Sequence, residues 1–141
     1  MNEDIFLSDF NPISKRWVIF EDDGQTGWLY LTEANDQKPQ FDCWIYNRIQ
    51  PPNEIEISKY RTSPPPVTVE YAGENAFVTS VEGIEFKFKW SKDGNSVALL
   101  INEKPVGYII AGNKRGFSSN LKKDGPWGSL LKQEQFEIIF Q

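Results

Sequence analysis

From Ile84 to Trp90 the chain reads IEFKFKW, with Ile84, Phe86, Phe88 and Trp90 alternating against Glu85, Lys87 and Lys89. Successive side chains of a strand point to opposite faces, so this period of two predicts a strand with one apolar and one charged face. KDGN follows as a turn, VALLI (97–101) returns, NEKP turns again and VGYII (106–110) runs back. Upstream, WVIF (17–20) and GWLYL (27–31) flank a glycine-containing turn. The second of these runs is bulky and apolar on both faces, as a strand near the middle of a sheet must be. FDCWIYNRI (41–49) is a further strand, with Phe41, Cys43, Ile45 and Asn47 on one face and Asp42, Trp44, Tyr46 and Arg48 on the other. Pro51-Pro52 stops it, because proline brings no ladder donor.

Between residues 53 and 83 the pattern is weaker. EIEISKY (54–60) alternates acid and isoleucine and predicts a half-exposed strand, while VTVEY (67–71) and AFVTS (76–80) bracket AGEN as a hairpin. RTSPPP (61–66) reads as an extended surface connector. Residues 1–16 mix polar and apolar positions around Pro12 and predict a loosely structured N-terminal arm. In the tail, Pro126 suits a first helical position, and Trp127, Leu130, Leu131 and Ile138 fall near one helical face that Glu134 interrupts. Residues 126–140 thus predict a C-terminal helix, with FEIIF (136–140) as a last strand in the alternative. The expected architecture is mainly β: an antiparallel meander forming a curled sheet or sandwich, with a short C-terminal helix. A length of 141 residues makes residues 1–141 one domain, large enough to bury a core.

Composition narrows the partners. Net charge is −5, and no Lys/Arg run exceeds two adjacent residues, so the basic footprint needed for nucleic acid or an anionic membrane is missing. An acidic balance suits a basic partner. Five Trp and ten Phe exceed what most small domains carry; rigid aromatics fill β cores, and surplus Trp marks contact surfaces. Cys43 is the single cysteine and lies among apolar neighbours, which predicts an inert buried thiol rather than a disulfide or thiolate cluster. MNEDIFLSDF carries acids where a signal peptide needs bases, and no apolar run approaches about 20 residues. The simplest expectation is a cytoplasmic protein.

The absence of histidine removes the commonest general base and metal ligand near neutral pH, and with it any Ser–His or Cys–His nucleophile within this chain. Ser91 and Lys92 are adjacent at a strand end and point apart. No GK[ST] phosphate loop and no G-x-G-x-x-G opens a helix, so no cofactor is expected. Arg115 sits at a turn where it either meets a carboxylate or phosphate or is simply solvated; the solvated turn is the commoner case. Carboxylates remain. Glu21, Asp22 and Asp23 precede Gly24, but a calcium loop places its acids at alternate positions, which EDDGQTG does not. Asp-Gly is what a tight turn prefers, and Asp93-Gly94 repeats it.

FEDDGQTGWLYL, FDCWIYN, WSKDGNSVALLIN and KRGF, in that order, resemble the conserved blocks of DUF2251, a family of small uncharacterised bacterial proteins. The blocks cover about half of the chain. The stretch at about residues 50–83 departs from the family pattern, and Gln25 replaces the second acid of its turn. The resemblance implies no known enzymatic activity.

Two classes of function follow. The first is a non-enzymatic acidic binding protein, of the immunity type that neutralises a basic bacterial toxin by direct binding. Its negative patch would be Glu21, Asp22 and Asp23, joined by Glu54, Glu56 and Glu70, with Trp28, Trp44 or Trp127 as anchors. The second is a carboxylate-using hydrolase or small-ligand binder with a β-lined pocket, which needs acids converging from separate hairpins, such as Asp23 and Asp93. A structural partner in a larger assembly is the third reading.

Overall fold

The computed structural model describes residues 4–141. It is mainly β, with 42% strand and 8% helix. Strands β1 (Ile5–Asn11), β2 (Arg16–Asp22), β3 (Thr26–Thr32) and β4 (Pro39–Asn47) form one antiparallel meander in that order. Strands β5 (Phe86–Trp90), β6 (Ser96–Ile101), β7 (Lys104–Ile110), β8 (Phe117–Ser118) and β9 (Ser129–Leu130) form a second sheet in chain order, with β9 parallel to β8. Helix α1 (Gln133–Ile139) ends the chain.

The sheets face each other across a core of Val18, Phe20, Leu29, Leu31, Ile45, Tyr46, Val97, Leu99 and Ile109, all fully buried. At roughly 1.5–3 kcal/mol for each large apolar side chain removed from water, this layer is the main favourable term for the fold. Along one side the sheets are stitched by backbone: Asp42 and Arg115 form a parallel bridge, and Gly116 N donates to Asp42 O at 2.8 Å. Cys43 lies in that seam, its buried thiol reaching Phe117 O at 3.3 Å, and burial pushes its pKa up. On the other side the edge strands β1 and β5 meet through Trp90 Nε1, which donates to Asp9 Oδ2 at 2.9 Å.

Both sheets also bury part of their outer faces. Ala98 and Tyr108 on the second sheet are covered by Phe136 and Phe140 at the C-terminus. Trp28 and Trp44 on the first are covered by Val67, Ala76 and Leu121. The stretch from about residue 50 to 77 is therefore a lid over β3 and β4, while Val78 and Val81 beyond it pack against the core between the sheets. Asn47 holds it down: its Oδ1 accepts from Trp44 Nε1 at 3.0 Å and Val67 N at 3.0 Å, and its Nδ2 donates to Val67 O at 2.9 Å.

Several expectations are corrected. The N-terminal arm is strand β1 from Ile5 onward, paired with β2 over its full length because Ile5 and Leu7 reach the core; residues 1–3 of the predicted arm lie outside the described residues. EIEISKY is not a strand but carries a single 3₁₀ turn, Ile57–Tyr60. VTVEY and AFVTS form no hairpin; Tyr71 N turns back to Thr68 O at 3.0 Å, while Ala76 O and Val78 N bond the backbone of Asn47. AFVTS spends its backbone bonds on the edge of β4, where Phe77 bridges Asn47, and VTVEY closes into a local turn with Tyr71 N and Ala72 N both on Thr68 O, so neither segment presents a strand edge to the other. RTSPPP is the irregular connector expected. In the tail, residues 126–132 stay outside the helix because Ser129 and Leu130 pair with β8, and Phe136 rather than Ile138 is the buried helical residue. The face assignment within β4 also changes after Trp44. Gly27 pairs with Tyr46 but Trp28 with Trp44, so Ile45 is an inserted residue, and Ile45 and Tyr46 both face the core while Asn47 faces the lid.

Candidate functional site

The acidic run is a hairpin tip. Asp23 Oδ1 accepts from Gln25 N at 2.9 Å and Thr26 N at 3.0 Å, and Gly24 takes φ 89°, where a side chain would be strained. Asp22 turns inward and is fully buried. Its Oδ1 accepts from Gly24 N at 2.8 Å, and its Oδ2 accepts from Tyr46 OH at 2.7 Å and Arg48 Nη1 at 2.8 Å. Burial and the bond to Asp22 raise the Tyr46 pKa, so the phenol stays a donor. Asp22 is thus a structural anion and not part of a surface patch; Glu21 is exposed and Asp23 half-exposed.

Asp93 makes the same kind of turn, accepting from Ser91 Oγ at 2.8 Å and Asn95 N at 2.9 Å; these bonds hold its pKa below the usual value. Gly94, at φ 73°, has no room for a Cβ, which would lie 2.7 Å from Ser14 Oγ at the β1–β2 turn. Asp93 therefore sits at the Arg16 end of β2 and Asp23 beyond its Asp22 end, roughly 20 Å apart for a strand of this length. The two acids do not converge. Among the described residues, no three Asp, Glu or Cys side chains gather to hold a metal ion.

What the fold does assemble is a cleft of about 720 Å³ on the outer face of the first sheet. This is in the roughly 300–1,000 Å³ range of ligand clefts. Trp28, Tyr30, Asp42 and Thr68 floor it; Ile55, Tyr60, Pro64, Pro65, Tyr71 and Trp127 wall it; Glu54, Glu70 and Arg115 stand at its mouth. The floor follows from register: Trp28 and Tyr30 share a face of β3, and Asp42 lies directly opposite Tyr30. The walls are tied to each other, Trp127 Nε1 donating to Pro65 O at 3.4 Å and its ring lying 5.4 Å from that of Tyr71.

Two floor atoms lack what buried polar atoms almost always have. Among the described residues, Trp28 Nε1 and Asp42 Oδ1 are buried without a hydrogen-bond partner, and the residues that carry them line the cleft. Burial raises the Asp42 pKa above its ordinary 3.8, and the field of Arg115 draws it partly back. Tyr30 is pushed up by burial and by the fields of Glu21, Asp42 and Asp23, so its phenol keeps its proton.

The sign of the Asp42 shift gives a test. A raised folded-state pKa means the folded protein binds the proton more tightly than the unfolded chain. That contribution is fully present below 3.8 and is lost as pH rises through the raised value. Urea unfolding from about pH 3 to about pH 7 should show Asp42→Asn gaining on the parent as pH rises, then levelling off. A pH-independent difference between the two proteins would contradict the assignment.

Of the residues expected at a contact surface, Trp28 and Trp127 line the cleft, with Glu54 and Glu70 at its mouth. Trp44 is fully buried beneath the lid, and exposed Glu56 pairs with Lys59 at 3.5 Å outside the cleft. Tyr30, Asp42 and Tyr71 were missed. The visible signal for Asp42 is an acid on the same strand face as Trp44; nothing local marks Tyr71. Arg115, expected mainly as a solvated turn residue, is exposed but lies beside the Asp42 carboxylate, whose proton affinity it lowers.

The rest of the outer face is open. One row runs Phe6, Glu21, Trp28, Trp44 across the four strands, and the next runs Ser8, Ile19, Tyr30, Asp42. Phe6 is 64% exposed and Phe10 38%, the latter packed 5.1 Å from the Trp17 ring. No helix among the described residues is long and apolar enough to cross a membrane. No family model, curated protein or solved structure matches this chain.

Proposed function

We propose that this chain is a non-enzymatic binding protein that holds a basic protein partner on the outer face of its first sheet. One observation carries this reading: the lid covers β3 and β4 but leaves the β1–β2 half open, so exposed Phe6 and Phe10 run toward the aromatic cleft within an acidic rim. Contact surfaces combine apolar aromatic centres with a charged periphery, and complementary charge steers association. Glu21 on the outer-face row, Asp23 at the adjoining hairpin tip and Glu54 at the cleft mouth supply the acidic charge, Glu70 being paired with Lys123 at 3.0 Å, and the net charge of −5 has the same sign. Neutralisation of a basic toxin by direct binding, as an immunity-type protein, is the specific form we favour.

Co-production with the product of the adjacent gene tests it. The partner should be toxic alone, bind this chain, and lose about tenfold or more in affinity with Phe6→Ser or Tyr30→Ala, as for central aromatic contacts. A neighbour that is harmless and does not bind would remove the toxin form. Binding untouched by both substitutions would move the contact surface elsewhere.

A further inference from the structure

We infer that the cleft receives a basic side chain, lysine or arginine, carried on an extended peptide segment of the partner. This rests on the binding-protein reading and adds what the cleft selects. The search for an occupant starts from unmet bonding capacity. Trp28 is 5% exposed, and its Nε1 is a donor with no acceptor; Asp42 Oδ1 is an acceptor with no donor. A peptide segment supplies both complements, a backbone carbonyl for the indole and an ammonium or guanidinium for the carboxylate.

Charge favours the same occupant. Asp42, Glu54 and Glu70 line the cleft with Arg115, and Lys123 beside the wall pairs with Glu70, which leaves Asp42 and Glu54 against Arg115 and a small acidic excess. A phosphate or carboxylate ligand would meet those acids, and a purely apolar ligand would leave Asp42 buried without a donor. The aromatic wall suits the alkyl stem and the cationic head of a long basic side chain. This wall already holds an ammonium from within the chain: Lys123 Nζ lies 5.0 Å from the Tyr71 ring centroid while pairing with Glu70 at 3.0 Å. Tyr30 and Trp28, stacked at 6.4 Å on the floor, offer a second aromatic surface beside Asp42.

The test uses short acetylated and amidated peptides bearing one lysine or one arginine, against matched peptides with norleucine or citrulline. Titration into the full chain is followed by the indole N–H resonance of Trp28, assigned with Trp28→Phe. Basic peptides are expected to shift that resonance and to bind about tenfold tighter than their neutral counterparts, a difference Asp42→Asn abolishes while the fold is retained. Equal binding of basic and neutral peptides overturns the inference, as does a preference that survives Asp42→Asn. So does binding of a neutral oligosaccharide in place of any peptide. If basic peptides do not bind but the partner still does in a Phe6-dependent way, the inference falls and the binding-protein reading stands. If basic peptides bind in an Asp42-dependent way but the adjacent gene product is neither toxic nor bound, the cleft's preference stands and the toxin form of the binding reading falls.

Discussion

Arg48→Met is expected to cost about 3–5 kcal/mol of stability, the range for breaking a buried ion pair by removing one partner. Arg48 and Asp22 have side chains 5% and 0% exposed and meet at 2.8 Å. Removing the guanidinium leaves the carboxylate away from water with only Tyr46 OH and Gly24 N as donors. It also frees Val78 O, which accepts from Arg48 Nε at 3.2 Å, so the end of the lid loses an anchor as well. Arg48→Lys should recover only part of the loss, since one ammonium does not reproduce two directed N–H groups. Urea unfolding of Arg48→Met, Asp22→Asn and the double variant should give a double variant less destabilised than the sum of the singles. A loss below about 1 kcal/mol, or simple additivity, would show that the pair is not energetically coupled.

The second large effect is at Asn47. Replacing it with alanine strips acceptors from Trp44 Nε1 and Val67 N and the donor from Val67 O, all in a buried setting. With roughly 1–3 kcal/mol for each buried group left unsatisfied, partly offset by relaxation, the expected loss is about 3 kcal/mol. The consequence extends to the site. The lid supplies Ile55, Tyr60, Pro64, Pro65 and Tyr71 to the cleft, and Asn47 is its buried clasp. Hydrogen exchange should therefore rise first across residues 50–80 in Asn47→Ala, while β5, β6 and β7 keep their protection. Uniform loss of protection over both sheets would mean that the lid has no separate role.

The pair and the clasp both stem from one irregularity. The bulge at Ile45 turns Tyr46 toward Asp22 and the core and turns Asn47 toward the lid. Strict alternation places those two residues on the opposite faces. An inserted residue leaves no local mark in WIYN, because each residue there is compatible with either face. The same limit applies to Ile5–Asn11, which has little apolar alternation of its own and becomes a strand because β2 presents a free edge.

By itself the sequence determined the central strands, the Asp-Gly turns and the mainly β class, since period-two patterning and turn chemistry are local properties that act within a few residues. Of the three tryptophans it put forward as anchors, Trp28, Trp44 and Trp127, the first and last line the cleft and Trp44 does not. Only the tertiary structure decided that Asp22 and Trp44 are interior, that residues 50–77 form a lid, and that Asp42, Tyr30, Tyr71 and Arg115 share a cleft. Those outcomes depend on which sheet edge is already occupied and which side chains meet across distant segments. Such pairings are set by whole-fold packing, which no short stretch of chain contains.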